Sequence, residues 1–267
     1  MTMYKVKDVI KYMESIAPME YKEKWDNVGL LIGDANRDVE CIVLSLDLTY
    51  SAIGTSAFRE NAMIITHHPL FFNPLKAITT STEEGRKAIA CIEKHISVYT
   101  AHTNFDNCPY GTNDVLFDML ELKDKEVICP INEEKNVGLG RIGVLNKATT
   151  LKTFLDTLNN LKFKNIRYFL GEFDLDAKVL KVGLCTGSFD ENTVRMAKKM
   201  GVDVFLGGDL KYHNAQICWE LELPFIDIGH YYSEIPAMEK LKTMLEKEFD
   251  IQVMLCDANE TKIINYN

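Results

Sequence analysis

Twice along this chain the same order of segments occurs: strand, helix, strand, helix, and a third strand that ends in a histidine with a carboxylate four residues later. The first copy runs from Cys41 to Asp106 and closes on His102 and Asp106. The second runs from Val179 to Glu234 and closes on His230 and Glu234. The strand segments are short apolar runs (CIVLSLDL, AMIITHH, ISVYTAH, then KVLKVGLC, VDVFLGGD, PFIDIGH) and the segments between them have amphipathic helical character. Dense alternation of this kind predicts an α/β fold, and its repetition predicts two similar α/β domains related as an internal pseudo-repeat. Two such β-α-β units facing each other would converge their strand ends on one cleft, a favoured place for a ligand site. The composition changes near Lys125, which places the expected domains at residues 1–125 plus 235–267 and at residues 126–234.

Metal-binding side chains gather at the strand ends. MIITHHPLFF carries His67 and His68, ISVYTAHTNFD ends at Asp106, and FIDIGHYYSE carries His230 and Glu234. Each group sits at or just past the carboxyl end of a strand, where open α/β sheets place their sites. Three imidazoles and two carboxylates exceed what one tetrahedral zinc needs and suit two adjacent metals sharing a bridging carboxylate. Read singly, each signal has a plainer explanation. Adjacent His67 and His68 point to opposite faces on a regular strand, and only the break at Pro69 lets both reach one site. Asp106 could form an Asx turn or a helix cap. His230 and Glu234 could be an exposed ion pair, although Gly229 permits a sharp turn into a helix from which the glutamate could bridge two metals.

Other residues border these groups. His102 reads as a third ligand of the first copy or, preferably, as a residue that orients a ligand or transfers a proton. Lys211 and His213 in GGDLKYHNA occupy the place in the second copy that corresponds to His67 and His68, where they could contact an anionic substrate. Asp209 in that segment reads as a helix cap, and His95 as an exposed residue at a helix end. WDNVGLLIGD pairs an aromatic with Asp26 and Asn27, a composition apt for a loop that covers a cleft or contacts a base.

Charge and cysteine usage narrow the function classes. Lysine and arginine number 30 against 39 aspartates and glutamates, a formal net charge of -9, which disfavours broad capture of nucleic acid. No apolar run reaches the roughly 18 to 20 residues of a membrane span, and the opening segment does not read as a signal peptide. The seven cysteines are scattered, odd in number and never spaced as C-x-x-C, so a reducing cytoplasm is expected.

Taken together, WDNVGLLIGD, ITHHPLFF, AHTNFD, GGDLKYHNA and DIGHYYSE resemble the Nif-three-like family of dinuclear-metal proteins, whose bacterial members are named as type 2 homologues of GTP cyclohydrolase I. The motifs occur in the family's order over nearly the whole chain. The resemblance implies a homohexameric ring, two α/β domains per chain, and a site for two divalent metal ions in the cleft between them. It also implies His67, His68, Asp106, His230 and Glu234 as ligands, with Glu234 bridging. Longer relatives carry a further domain between the halves, which the short stretch from Leu139 to Val179 leaves no room for. The implied reaction opens the imidazole ring of GTP, releasing formate and ending at dihydroneopterin triphosphate. His102 or His213 would then move protons, Lys211 would pair with the triphosphate, and Asp26 and Asn27 would meet the nucleotide. The alternatives are a metal-dependent phosphoesterase or nucleotide hydrolase, and a non-enzymatic regulatory or scaffold protein that works through its ring. A ligand set without thiolates favours Zn, Mn, Fe, Co or Ni over Cu(I).

Overall fold

The computed structural model describes residues 3–59, 61–132, 136–161, 163 and 166–256. The chain divides into a first unit, Met1–Cys108 with Ala237–Ile264, and a second unit within Pro109–Pro236. The stretch past 256 that the sequence assigns to the first domain lies outside the described residues.

The first unit opens with a short strand β1 (Tyr4–Lys5) and helix α1 (Val6–Ile16), whose Val6, Val9 and Met13 recur at helical spacing and are buried. Strands β2 (Gly29–Ile32) and β3 (Asp38–Val39) follow, β3 pairing antiparallel with β1. Then come β4 (Cys41–Ser45), α2 (Tyr50–Ala57), β5 (Ala62–Thr66), α3 (Glu83–Glu93), β6 (Ser97–Thr100) and the one-turn helix α4 (Thr103–Asn107). The second unit comprises α5 (Thr112–Met119), β7 (Lys123–Asn132), β8 (Val137–Thr150), α6 (Leu151–Asn160), β9 (Arg167–Phe169), β10 (Lys178–Leu184), α7 (Glu191–Lys199), β11 (Val204–Gly207), α8 (Tyr212–Glu220) and β12 (Phe225–Asp227). Helix α9 (His230–Glu248) starts in the second unit and passes through Pro236 into the first, which β13 (Gln252–Leu255) closes. Helix α5 packs against β8 within the second unit, because the first unit ends at Cys108.

Among the described residues the first unit holds a sheet of order β13-β4-β5-β6-β2, parallel except for β2, and the second a sheet of order β7-β8-β10-β11-β12-β9. In the second sheet β10, β11 and β12 are parallel, whereas β9 runs antiparallel to β12. The pseudo-repeat therefore reaches further than the segments from Cys41 and Val179. In both units a helix (α1, α6) and a short strand (β2, β9) precede the three parallel strands of the repeat, and that short strand pairs antiparallel with the third of them. At four and three residues, GLLI and RYF are too short for periodicity to show.

The residues of β4, β5 and β6 are buried on both faces, which is why these segments read as largely apolar runs. One face of the first sheet packs Val43, Ile64 and Val98 against Ala52 and Ile53 of α2 and Ala88 and Cys91 of α3. The alternate residues Ile42, Leu44, Met63 and Ile65 are equally buried. In the second unit Leu184, Leu206 and Ile226 meet Leu151, Phe154 and Leu158 of α6, while Phe205 and Phe225 meet Val194 and Ala197 of α7 and Cys218 of α8. Threonine or aspartate side chains cap α2, α3, α6 and α7, accepting from the backbone N–H three residues on (Thr49, Thr82, Thr150 and Asp190). Each such cap contributes about 1 kcal/mol. No helix among the described residues is long and apolar enough to cross a membrane.

Candidate metal centre

Because β4, β5 and β6 are parallel, the residues that follow them emerge at one edge of the first sheet. His67 and His68 follow β5 directly, and their backbone N–H groups still donate to Ser45 and Leu46 at the end of β4. The first consequence is that neither histidine is free to swing away. His67 Nδ1 lies 2.9 Å from the Ala101 carbonyl, and His68 Nδ1 lies 2.9 Å from Asp47 Oδ1. His102 follows β6 and its Nδ1 lies 2.9 Å from Asp26 Oδ1. The His102 carbonyl accepts from the N–H groups of Phe105 and Asp106, which turns α4 so that Asp106 Oδ1 comes 3.4 Å from His67 Nε2. The rings of His67, His68 and His102 lie with centroids 5.0 to 5.6 Å apart, and each offers a ligand atom within 4.8 Å of the others.

In the second unit His230 is the first residue of α9, reached through Gly229 at φ 83°. Glu234 lies one turn on, with Oε1 3.1 Å from His230 Nε2, and His230 Nδ1 lies 2.8 Å from Asp209 Oδ2. Two glycines make room for this pair. A Cβ on Gly187, itself at φ 62°, would collide with Glu234 Oε1, and a Cβ on Gly208 would sit 2.7 Å from the His230 backbone. Ser233 reinforces the turn by accepting from the Gly187 N–H and donating to the His230 carbonyl.

One plan runs through all four histidines. Each Nδ1 faces an oxygen that can only accept a hydrogen bond (a backbone carbonyl or a carboxylate), so Nδ1 carries the proton and Nε2 carries the lone pair of the neutral ring. That is how proteins fix the tautomer and orientation of imidazoles that bind metals. For His67 and His230 the Nε2 lone pair points at a carboxylate oxygen, and two acceptors face to face call for a cation between them. Burial alone pushes the His230 imidazole down, but its hydrogen bonds to Asp209 and Glu234 prevail and raise it to about 11. Without metal a proton fills that place; a divalent ion would displace it. The donor set of imidazole nitrogens and carboxylate oxygens thus fits a hard or borderline divalent metal.

The remaining candidates are distributed unevenly. Asp26 is 4% exposed, and its carboxylate accepts from His102 Nδ1, from the backbone N–H and hydroxyl of Thr103, and from the Asn27 N–H. Asn27, half-buried, donates from Nδ2 to the Phe71 carbonyl. Lys211 and His213 are exposed at the start of α8, and the residues that follow β11 as His67 and His68 follow β5 are Gly208 and Asp209. Asp47 and Asp209 hold the histidines in place. Asp209, expected as a helix cap, instead faces His230 Nδ1, and Asp47 has no distinguishing mark of its own in the sequence. The available signal was an aspartate two residues beyond a strand that neighbours the histidine's strand.

Asp26 yields a pH prediction for chelated protein. Burial raises its carboxyl, but the bonds from His102 and Thr103 overcome that and hold it at about 2. A depressed carboxyl contributes stability above its unfolded value near 3.8 and loses it as pH falls towards 2, about 2 kcal/mol in all. Asp26→Asn is expected to be less stable in urea at pH 7, with the gap to wild type narrowing between pH 5 and pH 3. A gap independent of pH would remove Asp26 from this role.

The sequence profile of the Duf34/NIF3 family (NGG1p interacting factor 3) matches residues 4–262. The chain belongs to this family. This Duf34/NIF3 protein is 34% identical over 259 residues to a Clostridium perfringens protein named GTP cyclohydrolase 1 type 2 homolog, covering 97% of each chain. It is 35% identical to a Clostridium acetobutylicum protein of the same name, covering 91% of this chain and 90% of that one. Among solved structures, a Bacillus cereus protein related to NIF3 superposes with a TM-score of 0.88 at 23% identity, over 100% of both chains, and so shares the fold.

Proposed function

We propose that this Duf34/NIF3 protein is a metal-dependent hydrolase that opens the imidazole ring of GTP and releases formate. The observation that supports the reading is the uniform plan of the histidines, each with Nδ1 engaged by an accepting oxygen so that Nε2 is left as the ligand atom. Imidazoles that bind a metal almost always donate the other ring N–H to a carbonyl or carboxylate, as these four do. The names carried by the Clostridium relatives point to the same reaction.

In this proposal His67, His68, Asp106, His230 and Glu234 are the residues that would hold two divalent metal ions. Bound divalent ions there supply Lewis acidity and a water acidified to near-neutral pKa. His102 is the proton-moving residue: Asp26 fixes its Nδ1–H, so Nε2 is the atom that takes up and returns a proton. Lys211 and His213, exposed at the head of α8, meet the anionic triphosphate.

Metal content of protein purified without chelator, followed by formate release from GTP on the same sample, tests the reading. About two ions per chain with turnover is the expected result. Turnover should disappear on chelation, return with added metal, and fall at least about 100-fold in His102→Ala at unchanged metal content. Two metals without formate would discard GTP ring opening and direct the assay to phosphoesters. A chain that binds no metal would overturn the proposal altogether and leave the scaffold alternative.

A further inference from the structure

Two large aromatic side chains stand in water beside the histidine group of the first unit. Trp25 is 62% exposed and Phe72 is 49% exposed. Isolated exposed hydrophobics are common on any protein; a pair next to a cluster of reactive side chains is informative. The Trp25 ring lies 6.0 Å from the His102 ring and the Phe72 ring 5.8 Å from it, both edge-on, at 73° and 76°. The two rings lie 6.4 Å apart with their planes 31° from parallel, near enough for one bicyclic ring to reach both.

The surrounding chain holds this arrangement in place. Asp26 anchors His102 and the start of α4. Asn27 reaches from the other side to the Phe71 carbonyl, 2.6 Å away, and so ties the Trp25 loop to the segment that carries Phe72. The Glu23 N–H donates to the Thr103 hydroxyl, and Lys22 Nζ donates to the Asp26 carbonyl. Three consecutive residues thus have three tasks: Trp25 presents a ring, Asp26 sets the neighbouring imidazole, and Asn27 positions the second aromatic.

We infer that Trp25 and Phe72 form the binding site for the planar base of a purine nucleotide, holding it beside His102. The inference deepens the proposed function and rests on it for the choice of a purine. Aromatic side chains hold bases by stacking, which every base offers through its π-face, so neither residue needs a polar partner on the ring. The apolar faces of the pair would be covered by the base, and His102 would stand at the ring's edge.

Calorimetry on the metal-loaded protein separates base from phosphate, with GMP and inorganic triphosphate as probes. Trp25→Ala and Phe72→Ala are each expected to weaken GMP binding about 10-fold, within the range measured for loss of one stacking partner. Triphosphate binding and metal content should not change, and Trp25→Phe should restore GMP binding to within about 3-fold. The inference is overturned if wild-type protein does not bind GMP, if both alanine variants bind it normally, or if they lose triphosphate in equal measure. Formate assays keep the two claims apart. Trp25-dependent GMP binding without formate would sink ring opening and leave the aromatic site standing. Formate release at unchanged kcat/KM in both alanine variants would do the reverse.

Discussion

Replacing His67 by alanine is expected to lower metal content from about two ions per chain to below one, and to abolish hydrolysis with it. His67 is buried at the end of β5, its Nδ1 held by the Ala101 carbonyl and its Nε2 turned to Asp106. The Ala101 carbonyl fixes the orientation of the ring, so the place of Nε2 is set by backbone. If the ligand groups of the two units serve one centre, Glu234→Ala should deplete both ions as His67→Ala does. Loss of a single ion from each variant would separate them into two sites. His95→Ala is the control: His95 is exposed beyond the end of α3 and should leave metal content unchanged. Thermal melts must be compared with chelated wild type, since a binding ion adds stability by mass action. Full metal content in His67→Ala would refute the ligand assignment.

The second large effect concerns stability. Arg141 is 1% exposed and Asp114 is 2% exposed, and their side chains meet at 2.5 Å inside the second unit. Arg141 Nη1 also donates to the carbonyls of Gly138 and Gly140, while Lys125 and the Tyr110 N–H donate to Asp114. Asp114→Ala would leave a buried guanidinium without its counter-charge, a loss of about 3–5 kcal/mol. Burial raises the Asp114 carboxyl, but Arg141 and Lys125 outweigh it and hold it below the ordinary value. Its contribution is therefore present above the unfolded carboxylate pKa and lost as pH falls through the lower folded value. Urea denaturation should show the full deficit at pH 7 and a smaller one near pH 3. Replacing the pair by leucine at Asp114 and methionine at Arg141 should recover part of the loss. A deficit under about 1 kcal/mol for Asp114→Ala would show that water reaches the guanidinium.

That ion pair was not visible in the sequence. Asp114 falls in an ordinary amphipathic helix and Arg141 in a glycine-rich stretch, and nothing local distinguishes them from surface charges. They meet because β8 carries Arg141 inward beside α5. The same holds for the carboxylates behind the histidines. Asp47 lies 21 residues from His68 and Asp209 lies 21 residues from His230, each joined to its histidine only through the end of an adjoining strand. Asp26 and His102 are 76 residues apart and meet because β2 pairs with β6. By contrast, the histidine and acidic clusters themselves were legible, because each follows an apolar run that ends abruptly at Pro69, at a one-turn helix, or at Gly229.

The sequence by itself determined the α/β class and the placement of His67, His68, His102 and His230 just beyond parallel strands. Burial on both faces writes an unbroken apolar run, and the chain direction through a βαβ unit follows from it. Only the tertiary structure decided which nitrogen each histidine presents. That choice belongs to an oxygen on another segment (Ala101, Asp47, Asp26 or Asp209), and strand pairing such as Ser45 with Thr66 brings it within hydrogen-bonding distance. Pairing register is a property of the folded sheet, so a linear reading finds the imidazoles but not the orientation that makes them candidate ligands.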